Sequence, residues 1–231
     1  MKLEDLLNKK TSPTNDAPTQ HTSKGLKETV QDREEGTLDL KLPDYLVNDP
    51  EVVGYPSAEM QQLIYNWVAE DLPMGGIYSI KDLGAGRGDF YGHLVFRRPL
   101  ATSPIPTYTG FEAKDSLVLA GKQKYENLNL IQQDYLTSDL VTDYTICIGT
   151  LNEDHGQDKW EVFNKTLNHA INTTKRAIIF VLASNMDSME GFLDYPFSEL
   201  FQNVPDNTRF TVDYTRLQDI YKLTVHIGGY N

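Results

Sequence analysis

The chain has 231 residues, with 33 Asp and Glu against 21 Lys and Arg, a formal charge of −12. That length fits one domain with an appendage. The acidic balance argues against broad binding to a phosphate backbone, which relies on Lys and Arg, although it leaves room for a local basic groove. No apolar run nears the ~18 residues of a membrane span, and the opening MKLEDLLNKK lacks the apolar stretch of a signal peptide. The single Cys147 excludes an internal disulfide framework and a cysteine zinc cluster. A cytoplasmic, reducing environment is the expectation, with no metal site.

Residues 1–40 contain 9 apolar residues, about 22% against 39% for the whole chain, and no aromatic precedes Tyr45. Such a composition cannot bury enough apolar surface to offset the entropy of ordering, so residues 1–44 are expected to form a flexible arm. Leu3, Leu6 and Leu7 share one helical face at its tip and are either a frayed end or a docking peptide for a protein partner. Residues 45–231, with all 24 aromatics, form the domain proper.

The first helix of that domain follows Ser57, a suitable N-cap, with Met60, Leu63, Ile64, Trp67, Val68 and Leu72 at helical spacing. Strands and helices then alternate: strands near 77–82, 108–112, 128–132, 142–149 and 176–183, helices near 89–98, 114–125, 158–172 and 191–203. The runs Tyr144–Ile148 and Ala177–Leu182 are apolar on both alternating faces, as in a parallel sheet covered by helices. Arg209–Tyr214 and Tyr221–His226 leave no room for a crossover helix and so pair antiparallel. The expected architecture is α/β: a Rossmann-like, doubly wound, mostly parallel seven-stranded sheet that ends in an antiparallel C-terminal hairpin.

Chemistry concentrates where the first strand meets its helix, at Asp82-Leu83-Gly84-Ala85-Gly86-Arg87-Gly88-Asp89. Glycines there permit a tight bend and let a ligand approach the main chain beside a helix N-terminus. The spacing is G-x-G-x-G; a dinucleotide fingerprint needs glycine where Asp89 stands, and a carboxylate at that helix start is expected to repel a pyrophosphate. Glu112 ends the second strand, where a carboxylate can accept both hydroxyls of a ribose. Asp134 and Tyr135 follow the third.

Together, Asp82 to Gly88, then Glu112, then Asp134 resemble the class I S-adenosylmethionine-dependent methyltransferases, over roughly residues 55–228. The resemblance implies S-adenosyl-L-methionine as cofactor. Gly84, Ala85, Gly86 and Gly88 would lie along its methionine moiety and Asp82 would hold the amino group through the turn. Glu112 would bind the ribose and Asp134 the adenine amino group. Tyr135 either lines that pocket or edges the core. Gly88-Asp89-Phe90-Tyr91-Gly92 and Gly149-Thr150-Leu151-Asn152 are further similar to compact bacterial and phage members of that family.

Methyl transfer from a sulfonium is an in-line displacement, so the protein's main tasks are positioning and exclusion of water. The loop after the fourth strand faces the acceptor in this fold. There Asn152 is a candidate to orient an acceptor or to close a local turn. Glu153 is either an acceptor-side acid or a partner of the next helix's N-terminus. His155 is either a base, having an ordinary pKa near neutrality, or an exposed loop residue. The expected acceptor is a small molecule or a protein side chain. The alternative is a non-catalytic module that kept the fold and docks a partner through its arm.

Overall fold

In the computed structural model, residues 41–97, 104–154, 156–184, 191–206 and 208–228 are described. The expected arm lies outside them apart from residues 41–44. A short helix α1 (Asp44–Asn48) and a 3-10 turn (Pro50–Val53) precede α2 (Ala58–Ala69). Ser57 caps α2, its hydroxyl accepting the Met60 N–H at 3.2 Å. The alternating part then runs β1 (Ser79–Leu83), α3 (Asp89–Arg97), β2 (Thr107–Glu112), α4 (Asp115–Lys124), β3 (Leu130–Gln132), β4 (Thr142–Ile148), α5 (Lys159–Asn172), β5 (Thr174–Ala183) and α6 (Phe197–Asn203). β6 (Phe210–Leu217) and β7 (Ile220–His226) close it.

The sheet order is β3-β2-β1-β4-β5-β7-β6, parallel through β5, with β7 antiparallel to both β5 and β6. The doubly wound sheet with its antiparallel hairpin is therefore present as expected. Strand β5 shows why its sequence is continuously apolar. Ile179 and Val181 pack under α2 and α3, while Ile178, Phe180 and Leu182 pack under α5 and α6. The sixth helix is shorter than the expected 191–203. Pro196 is its N-cap, and Leu193 and Tyr195 donate their N–H groups to Asn152 and Ala183, so this stretch is extended and tied to the sheet.

Polar groups fix two seams of this core. Lys81 of β1 is fully buried and its ammonium donates to the Leu140 carbonyl at 3.0 Å and to the carbonyl and hydroxyl of Thr173, the C-cap of α5. A cation there complements the negative end of α5, while burial draws its pKa down to about 8. Lys222 of β7 donates to Asp71 at 2.8 Å and to the Trp67 carbonyl, and the Trp67 ring N–H reaches Asp213 at 2.7 Å. These contacts fasten α2 to the terminal hairpin.

Candidate functional site

β1, β2 and β4 end side by side, and in an open α/β sheet the ligand crevice lies outside such strand ends. Gly84, Gly86 and Gly88 all adopt the left-handed conformation, with φ of +68°, +57° and +73°. At Gly84 the demand is double, because a Cβ would lie 2.1 Å from the Thr150 hydroxyl. That hydroxyl donates to the Leu83 carbonyl at 2.9 Å and the Gly84 carbonyl at 3.1 Å, tying the loop after β4 to the glycine turn.

Glu112 is nearly buried and divides its carboxylate between two main-chain donors. One oxygen accepts the Gly86 N–H and the other the Lys114 N–H, each at 2.9 Å. A carboxylate carries about four lone-pair sites, so two acceptor positions remain. Asp82, 3% exposed, accepts the Tyr108 hydroxyl at 2.5 Å. Burial raises its pKa to about 7, against the Tyr108 hydrogen bond and with help from the nearby Glu112 charge.

Asp89 sits where a repelling charge was expected but is engaged inside the protein. It accepts Arg87 at 2.8 Å, Lys124 at 2.8 Å and the Tyr125 hydroxyl at 2.9 Å. Burial opposes its charge, yet the Lys124 hydrogen bond and the Arg87 and Lys124 charges prevail and hold its carboxyl below the usual range. The fully buried Arg87 also donates to the Leu46 carbonyl at 3.0 Å, which seats α1 beside the turn. Asp89 therefore does not discriminate against an anionic ligand by repulsion.

The remaining named residues fall differently. Ala85 donates its N–H to the Phe111 carbonyl at 2.9 Å, pinning the turn to β2. Asp134 is exposed and caps a 3-10 turn through the Leu136 N–H. Tyr135 is half-buried, its hydroxyl 3.0 Å from that of Thr166 on α5 and its ring against the α5 core. Asn152 is buried. Its oxygen accepts the Ala183 N–H at 3.1 Å and its nitrogen donates to the Leu193 carbonyl at 2.8 Å. Glu153 pairs with Lys114 at 2.9 Å. His155 lies outside the described residues.

Sequence reasoning missed Arg87, Tyr108, Lys114 and Thr150. Only Arg87 had a signal, a long cation inside a glycine turn. The partners of the other side chains are 26 to 67 residues away, beyond any local pattern. A separate hollow of about 280 Å³ between α2, α3 and α4, lined by Gln62, His93, Phe96 and Lys124 among others, contains none of the cofactor-binding candidates.

Solved structures share this fold. A magnesium protoporphyrin IX methyltransferase from Synechocystis PCC 6803, solved with S-adenosylhomocysteine bound, is 15% identical with a TM-score of 0.55, over 80% of this chain and 97% of that one. The chain has the fold of the class I S-adenosylmethionine-dependent methyltransferases. A SAM-dependent methyltransferase from Aquifex aeolicus is 11% identical with a TM-score of 0.57, over 78% and 99% of the two chains. An O-methyltransferase family protein from Burkholderia thailandensis is 13% identical with a TM-score of 0.55, over 74% and 57%. No protein-family model and no curated protein matches the chain. Among the described residues, no helix is long and apolar enough to cross a membrane.

Proposed function

We propose that the chain binds S-adenosyl-L-methionine at the ends of β1, β2 and β4 and transfers its methyl group to a small molecule or a protein side chain. The observation that carries this reading is Glu112. It is buried at the end of β2, oriented by the Gly86 and Lys114 amides, and retains two acceptor positions for a ribose diol. Beside it, Gly84, Ala85 and Gly86 are part-exposed just before α3, and Asp82 is proposed to supply a carboxylate for the ligand's ammonium group. Asp134 is proposed for the adenine amino group and Tyr135 for the wall of that pocket. The acceptor stands opposite, against the loop that carries Asn152, Glu153 and His155. There His155 is proposed as the base, imidazole being the side-chain type that exchanges a proton near neutrality.

Calorimetry with S-adenosylmethionine and S-adenosylhomocysteine tests the cofactor half. Micromolar binding that Glu112→Ala weakens is the expected result, and no heat at millimolar ligand refutes it. Mass spectrometry of lysate incubated with labelled S-adenosylmethionine then identifies the acceptor.

A second reading draws on the acceptor side. Asn152 is engaged by main chain and Glu153 by Lys114, which suits a module that kept the fold and docks a protein partner through residues 1–44. Pull-downs with and without residues 1–44 separate the two readings. Deletion that abolishes methyl transfer while partners are retained counts against the docking module.

A further inference from the structure

The contacts around the crevice close into a ring. From the glycine turn, the Gly86 N–H leads to Glu112, and the other oxygen of Glu112 leads to the Lys114 N–H. The Lys114 ammonium crosses to both oxygens of Glu153, at 2.9 and 3.1 Å. The Glu153 N–H returns to the Thr150 carbonyl, and the Thr150 hydroxyl to Leu83 and Gly84 in the glycine turn. Lys114 follows β2 and Glu153 follows β4, the two strands that flank β1. Two strand spacings, about 10 Å, separate those strands, so the ion pair spans the end of β1.

The links of this ring differ in kind. The glycine-turn, Glu112 and Thr150 hydrogen bonds are half-buried. The Lys114–Glu153 pair has side chains 56% and 49% exposed and is the link most open to water and salt. Its two ends are nevertheless anchored. The Lys114 main chain is held by Glu112, and Glu153 is bridged antiparallel to Phe192 in the segment after β5. Opening this pair breaks none of the other hydrogen bonds of the ring.

We propose that the Lys114–Glu153 ion pair is the latch of the crevice, closed in the free and bound protein alike and opened whenever a nucleoside enters or leaves. The proposal rests on the cofactor reading given above. A latch that contributes equally to both states slows entry and exit together and leaves affinity nearly unchanged. A residue that touches the ligand changes the exit rate alone.

Surface plasmon resonance with the immobilised full-length chain and S-adenosylhomocysteine separates these cases. Lys114→Ala and Glu153→Ala should each raise association and dissociation rates together by about two- to fivefold, the scale of an exposed pair. The dissociation constant should stay within about twofold. Both wild-type rates should rise with salt, which screens exposed charges, and the variants should lose that dependence. The exchanged pair Lys114→Glu with Glu153→Lys should restore the wild-type rates. Normal binding with unchanged rates, a faster exit alone, or failure of the exchange to restore the rates overturns the latch while leaving the cofactor reading intact. No binding by the wild-type chain overturns the cofactor reading, and the latch falls with it because it has nothing to retain.

Discussion

The two sides of the crevice use their polar residues in opposite ways. On the β1–β2 side, Glu112 is oriented by main-chain amides yet keeps acceptor positions toward the crevice, and Asp82 has one hydroxyl partner. On the β4–β5 side, Asn152 is engaged by Ala183 and Leu193, and Glu153 by Lys114. On the proposed reading the first side receives the ligand, whereas the polar groups of the second tie its own loops together. A binding pocket and a scaffold can thus be built from the same residue types, and hydrogen-bond partners distinguish them.

The sharpest test of that contrast is steric. Gly84→Ala combines an unfavourable left-handed alanine with a clash against Thr150 and should cost about 3–5 kcal/mol of stability, read from urea unfolding. Adding Thr150→Ala should recover part of that loss. A fully tolerated Gly84→Ala contradicts the described packing of the two loops.

Asn152→Ala comes next. Leaving buried main-chain groups of residues 183 and 193 without partners should cost about 2–4 kcal/mol while cofactor binding stays nearly unchanged. A variant with full stability but slowed methyl transfer would make Asn152 an acceptor-orienting residue and erase the contrast between the two sides.

A smaller effect concerns pH. The folded chain holds a proton on Asp82 up to about pH 7, whereas the unfolded chain releases it near 3.8. The stability this group contributes is therefore present below pH 3.8 and lost as pH rises through about 7. The ligand's ammonium group prefers the ionised carboxylate. Affinity should therefore increase about tenfold from pH 6 to pH 8 in calorimetry, and Asp82→Asn should flatten the profile. An affinity that does not vary with pH in wild type would remove Asp82 from the site.

The physical range of each interaction explains what was legible in the sequence. The glycine turn, the Ser57 cap and the two-faced apolar run of β5 are set by neighbours within a few residues. The terminal hairpin follows from the lack of room for a crossover. Asp89 was misjudged because its neutralising partners come from two places, Arg87 two residues before it and Lys124 on another helix. The short sixth helix escaped notice because Leu193 and Tyr195 donate to Asn152 and Ala183, which no local pattern shows. Lys81 interrupts an apolar strand, but its role as a cap for α5 depends on Thr173, 92 residues away.

The most direct measurement of the central claim is a crystal structure of the chain grown with S-adenosylhomocysteine. The account predicts the nucleoside at the ends of β1 and β2, both ribose hydroxyls within hydrogen-bond distance of Glu112 and the amino-acid moiety along Gly84–Gly88. A nucleoside seated elsewhere, or a ribose that makes no contact with Glu112, would contradict it.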